Sequence, residues 1–146
     1  MTEKHYNELV KSMAPKSPVG KDCVMAFVSG GLICVLGQVF INWYTSLGLE
    51  EDLASAAGSM SLVCIAAVLT GLGWFDDIAK RAGAGTLVPI TGFANSVAAP
   101  AVEFQTEGRV LGTAAKMFNI AGPVIVYGLT ASVVYGVVYW IFQMFK

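Results

Sequence analysis

Four stretches of this sequence contain no Asp, Glu, Lys or Arg: Cys23–Leu49, Leu53–Phe75, Ala82–Val102 and Met117–Phe145. They are 27, 23, 21 and 29 residues long and take up 100 of the 146 residues. A helix needs about 20 apolar residues to cross a hydrocarbon core of about 30 Å, and a buried soluble core rarely needs four uncharged runs of that length. Charged residues make up 13% of the chain, against about 25% in an average soluble domain. The pattern predicts an all-α, multi-pass integral membrane helical bundle of about four spans, with a broken or re-entrant third segment. A polar N-terminal segment, 1–21, precedes a membrane domain, 22–146, with spans at about 23–47, 54–75, 83–102 and 118–143.

The third run stands apart from the others. Gly83, Gly85 and Gly92 loosen it, Pro89 and Pro100 each lack a backbone N–H, and Thr86, Thr91, Asn95 and Ser96 are polar. Backbone groups freed at membrane depth must find partners inside the protein or in a water-filled cavity. Such a segment is expected to line a packed interior or a pathway. If Pro89 opens a helix, Gly92, Asn95, Ser96, Ala99 and Glu103 fall at offsets 0, +3, +4, +7 and +11, on one small, polar face ending in a carboxylate. The candidate pathway-lining set is Gly83, Gly85, Thr86, Thr91, Gly92, Asn95, Ser96 and Glu103. The alternative is that Asn95 and Ser96 simply join helices to one another.

The other runs read as housing. Gly30 and Gly37 in the first, Gly71 in the second, and Gly128, Ser132 and Gly136 in the last offer small faces for helix packing. Gln38 is expected to seek an interhelical hydrogen bond. Trp43, Tyr44, Tyr139 and Trp140 suit membrane interfaces. Asp76–Lys80 and Asp77–Arg81 are each four apart, so a helical loop would pair them. Tyr6, Leu9, Val10 and Met13 share one face of a helix that would rest on the membrane surface; a polar tail is the alternative.

Several functions are disfavoured. A net charge of −1 gives no sign of nucleic-acid binding. The N-terminus does not read as a cleaved signal peptide. Cys23, Cys34 and Cys64 lack metal-type spacing, and the Asp76-Asp77 pair has no supporting ligands nearby. There is no nucleophile–base pair, phosphate loop or dinucleotide fingerprint. The sequence therefore predicts no enzyme, no catalytic residues, no metal site and no cofactor. The positions of Lys and Arg fit four crossings with both termini cytoplasmic. The runner-up makes 82–102 re-entrant, leaving three crossings and an external C-terminus.

Phe27-Val-Ser-Gly-Gly-Leu-Ile-Cys34-Val-Leu-Gly-Gln38, Leu69-Thr-Gly71, Ala82-Gly-Ala-Gly85 and Val88-Pro-Ile-Thr-Gly-Phe-Ala-Asn-Ser96 resemble the SpoVA membrane-protein family. Glu103, Glu107-Gly108, Gly112, Met117-Phe118 and Ala121-Gly122 continue the resemblance from about residue 22 onward, and Ala82–Ser96 is its most specific part. The resemblance implies a sporulation and germination protein of the forespore or spore inner membrane in a spore-forming bacterium. It implies partnership with other SpoVA-type subunits, possession of a bilayer-embedded pathway, and movement of dipicolinic acid as its calcium chelate. Mechanosensitive, tension-gated channel activity is implied for one type of member. No catalytic residues carry over. Half-helix N-termini with exposed N–H groups near Gly83–Thr86 or Gly92 would favour the dicarboxylate. Three readings follow: a channel subunit, a non-conducting subunit scaffolding a larger transport complex, and, far behind, a membrane enzyme. Homo-oligomerisation is open in the first two.

Overall fold

The computed structural model describes His5, Tyr6, Val10, Met13 and residues 18–145. Tyr6, Val10 and Met13 are helical and exposed; Leu9, Lys4 and Lys11, which complete the expected surface helix, lie outside the described residues. No strand occurs among the described residues.

Helix α1, Val19–Ser46, is 28 residues long. It begins directly after Pro18, whose fixed φ suits the residue before a helix and whose carbonyl accepts the Asp22 N–H at 3.0 Å. Its start therefore precedes the uncharged run and takes in Lys21 and Asp22. Helix α2, Glu51–Gly71, follows after a tight turn and carries Glu51 and Asp52 in its first turn, where acidic side chains face the positive end of the helix dipole. It stops at Gly71 because Gly73 adopts a left-handed φ of 75°, a conformation that glycine takes without strain. Trp74 and Phe75 consequently open a separate nine-residue helix, α3, Trp74–Ala82. Gly83, at φ 57°, ends it.

The third uncharged run is broken into two pieces: α4, Ala84–Leu87, and α5, Ile90–Glu103. The break falls at Val88-Pro89, where the proline is extended (ψ 173°) and caps α5. Pro100 is accommodated within α5. A short 3₁₀ turn, Gln105–Glu107, and a π-helical turn, Arg109–Ala114, lead into α6, Ala115–Met144, which is 30 residues long.

Three helical segments are long and apolar enough to cross a membrane: Val19–Ser46, Glu51–Gly71 and Ala121–Met144. At 1.5 Å per residue, the 14 residues of α5 rise only about 21 Å.

The interior is made of small side chains. Among the described residues, the buried apolar set is Ala54, Leu62, Ala66, Phe75, Ala82, Ala94 and Ala121. Ala54, Gly58, Leu62 and Ala66 form one buried stripe of α2 at spacing four. A β-carbon on Gly58 would lie 3.0 Å from Ile41, and one on Gly37 would lie 3.2 Å from Leu62, so α1 and α2 meet through their glycines. Without a hydrophobic drive between helices in lipid, close van der Waals contact of this kind holds spans together. Tyr44 and Ser61 add a hydrogen bond of 2.9 Å between the same helices. Gln38, by contrast, donates to Asn42 of its own helix at 2.9 Å. Gly71, Gly128 and Gly136 have open space where a β-carbon would stand, and Ser132 is exposed.

Candidate functional site

The broken segment is the part of the chain most enclosed by the rest. Gly85, Thr86, Thr91, Gly92, Ala94 and Pro100 are buried. α4 packs on α1, and α5 packs on α2 and on the start of α6. Gly85 makes the closest approach: a β-carbon there would overlap the Ser29 hydroxyl and the Ala26 carbonyl of α1. Ser29 reaches toward the same junction, with its Oγ 3.4 Å from the Ala82 carbonyl. Gly92 is equally constrained, because a β-carbon would strike the Leu87 carbonyl.

Two adjoining cavities, about 560 and 630 Å³, lie along α5 and share Leu87, Asn95, Ala99 and Glu103. Together they form a groove. Gly92, Asn95, Ser96, Ala99 and Glu103, the face expected from spacing, all line the 560 Å³ part. The structure adds Phe93, Phe104, Lys116 and Asn119 to that wall. Thr70, Asp76 and Lys80 join Glu103 along the other part. The volumes fall in the range of about 300–1,000 Å³ usual for small-molecule sites.

The remaining candidates sit elsewhere. Gly83 borders a separate cavity of about 450 Å³ beside Asp22, Cys23, Lys80 and Arg81. Gly85 borders a small one of about 240 Å³ with Gly30 and Cys34 of α1. Thr86 and Thr91 hold the break together: Thr86 Oγ1 donates to the Gly83 carbonyl at 3.1 Å, and Thr91 Oγ1 donates to the Thr86 carbonyl at 3.2 Å. These bonds satisfy polar groups that hydrocarbon would penalise. Two backbone donors expected to face a ligand are also engaged. The Thr86 N–H donates to Gly83 O at 3.2 Å and the Gly92 N–H to Pro89 O at 2.9 Å.

Asn95 sits half-buried where the two cavities meet. The Thr70 hydroxyl lies 2.9 Å from Asn95 Oδ1 and 2.8 Å from the Ala66 carbonyl. This contact ties α2 to α5 and leaves the other amide group of Asn95 for the groove. Ser96 donates locally to the Phe93 carbonyl at 2.7 Å.

Charge gathers at one end of the groove. Lys80 lies 2.7 Å from Asp76 and 3.5 Å from Asp77. The hydrogen bond and charge of Asp76, then those of Asp77, raise its pKa above the ordinary 10.5, so it is a cation at neutral pH. Among the described residues Arg81 makes no ion pair; the expected Asp77–Arg81 bridge gives way to Lys80 serving both acids. Glu103 is exposed. Lys116 is half-buried, with Nζ 4.9 Å from the centroid of the Phe104 ring. Lys116, Asn119 and Thr70 carry no periodic signal linking them to residues 92–103. They arrive through the 3₁₀ and π turns and through helix crossing, which spacing along one helix does not encode.

A family model described as the SpoVAC/SpoVAEB sporulation membrane protein matches residues 22–138. Stage V sporulation protein AC of Bacillus subtilis (strain 168) is 44% identical over 142 residues, covering 97% of this chain and 95% of that protein. No solved structure matches. The matched region takes in α2, both pieces of the broken segment and the whole groove.

Proposed function

The chain belongs to the SpoVAC/SpoVAEB family of sporulation membrane proteins, and from that membership we propose that it is a subunit of a tension-gated channel carrying dipicolinate, as its calcium chelate, across the spore inner membrane. In this reading α4 and α5 form a re-entrant element that lines the pathway. The observation that carries the proposal is the groove itself: a polar face on a broken helix, packed against α2 and α6 and bordering two cavities that share Leu87, Asn95, Ala99 and Glu103.

Re-entry is supported by the neighbours of the segment's two ends. Its entrance, Ala82–Ala84, shares a cavity with Lys80 and Arg81. Its exit, Val102 and Glu103, shares one with Asp76, Ala79 and Lys80. Both ends thus lie beside α3. A segment that enters and leaves on one side makes three full crossings with α1, α2 and α6, the topology that ranked second from sequence. The Lys and Arg asymmetry, which fits four crossings when Arg109 and Lys116 are set aside, shifts toward three when they are counted. Three crossings gather Lys4, Lys11, Lys16, Lys21, Lys80, Arg81, Arg109 and Lys116, eight of the nine basic residues, on the cytoplasmic side. They leave Glu50, Glu51, Asp52 and Lys146 on the other. Four crossings would move Arg109 and Lys116 across to join the acidic turn.

The same contacts offer a route to gating. The junctions between α1 and α2 and between α1 and α4 rest on close approach at Gly37, Gly58 and Gly85. Contacts built on small residues break with little loss of buried area, and membrane tension favours the arrangement of larger in-plane area. One observation favours a scaffold instead: beyond Ala121, α6 is exposed along most of its length, which leaves surface for lipid or for other subunits.

Purified protein in liposomes loaded with dipicolinate and calcium separates the two. A channel subunit that conducts by itself releases its load on osmotic downshift. Protein that stays closed at every tension up to rupture removes the autonomous-channel reading and puts the scaffold in its place.

A further inference from the structure

Lys116 lies outside the pathway-lining face legible in the sequence, yet it stands in the wall of the same cavity as Asn95, Ser96 and Glu103. Its neighbours there are Phe104, under its ammonium at 4.9 Å, and Asn119. Among the described residues no carboxylate lies within 4.0 Å of it. The other lysine of the groove, Lys80, is already committed to Asp76 and Asp77. The groove therefore holds one cation whose charge is not spent on a neighbouring acid.

We propose that Lys116 is the residue that recognises a carboxylate of dipicolinate in the groove, binding the calcium-free dianion most strongly. The proposal rests on the conduit reading above and names the group that gives it charge preference. The ring of Phe104 holds the ammonium in place by cation–π attraction without neutralising it. The half-buried position of Lys116 against Phe104 weakens solvent screening, so the charge acts more strongly than on an open surface. Glu103 is exposed and more fully screened by water. The ammonium supplies the local attraction that a carboxylate meets on this wall, and the Asn119 amide lines the same cavity as a further donor.

The test is equilibrium dialysis of dipicolinate against the full chain in lipid nanodiscs, which needs no conduction. Lys116→Gln and Lys116→Met are expected to weaken binding about tenfold, the low end of what focused charge contributes. Lys116→Arg is expected to keep it within about twofold. The uncharged pyridine-2,6-dicarboxamide is expected to bind wild type and Lys116→Gln alike, which a general loss of packing would not produce. Dipicolinate binding that is equal in wild type and Lys116→Gln, or absent from both, overturns the assignment. Wild type that binds in this Lys116-dependent way yet never conducts under tension sinks the channel reading and leaves the recognition role standing.

Discussion

The broken segment 82–103 and the last helix, α6, begin from similar sequences and end in opposite environments. Both contain a long uncharged run, several glycines and an internal proline. Yet α5 accommodates Pro100 in a buried position and α4 places Gly85 flush against α1, whereas α6 runs unbroken past Pro123 with open space around Gly128 and Gly136. The difference lies in what flanks each proline. Pro89 follows a short helix already terminated at Leu87 and takes an extended ψ of 173°, so the chain turns there. Pro123 has no such break before it, and the helix continues with one ladder bond fewer. A small-residue stripe is thus a packing face only where the chain path brings another helix to it. Gly37 and Gly58 meet neighbours; Gly128 and Gly136 do not.

The largest expected effect is topological, and it is all-or-none. In a variant without Cys23, Cys34 and Cys64, Lys16→Cys and Glu107→Cys should react with an impermeant thiol reagent from one face of the membrane. Glu51→Cys and Lys146→Cys should react only from the other. Labelling of 107 together with 51, and of 146 together with 16, would restore four crossings and make the broken segment a true span like α6.

Glycine substitution sharpens the contrast at the level of stability. Gly85→Ala and Gly92→Ala push a β-carbon into backbone, so each should destabilise the chain in detergent by about 1–3 kcal/mol, as overpacking of a tight site does. Gly128→Ala has room and improves helix propensity, so it should be neutral or stabilising by up to about 1 kcal/mol in the isolated chain. Thermal unfolding of the purified variants gives the order. A Gly128→Ala cost as large as that of Gly85→Ala would mean that α6 is packed as tightly as α4. Should Gly128→Ala harm only the assembled complex, α6 is the contact to other subunits.

The smallest effect separates two polar residues on the same face. Asn95→Ala removes the link to Thr70 between α2 and α5, and a hydrogen bond between membrane helices contributes about 0.6 kcal/mol on average. Ser96→Ala removes only a bond to its own helix and should shift stability less. Equal stability with altered flux for Asn95→Ala would make its groove-facing amide group, rather than the Thr70 bond, its main contribution.

Much of the site was readable before any coordinates. Gly92, Asn95, Ser96, Ala99 and Glu103 line one cavity because they share the face of one helix, and helical spacing is a local property. The start of that helix followed from Pro89. That three long apolar helices exist followed from uncharged length, although α1 takes in Lys21 and Asp22 and α2 stops at Gly71, short of the end of its uncharged run. What could not be read were the relations between segments. Lys80 takes both Asp76 and Asp77 because the ammonium also reaches Asp77 three residues away, where i,i+4 spacing pointed to Asp77–Arg81. Thr70 meets Asn95 and Lys116 meets the groove through helix crossings and the turns at 105–114. The sequence by itself determined that the chain is helical, that Pro89 opens a helix, and which residues of that helix share a face, since these depend on local backbone sterics and the period of the helix. Only the tertiary structure decided which faces are covered, because α5 packs onto α2 and the start of α6 while the rest of α6 stays exposed, and the small-residue contacts that set this path are made between residues far apart in the chain.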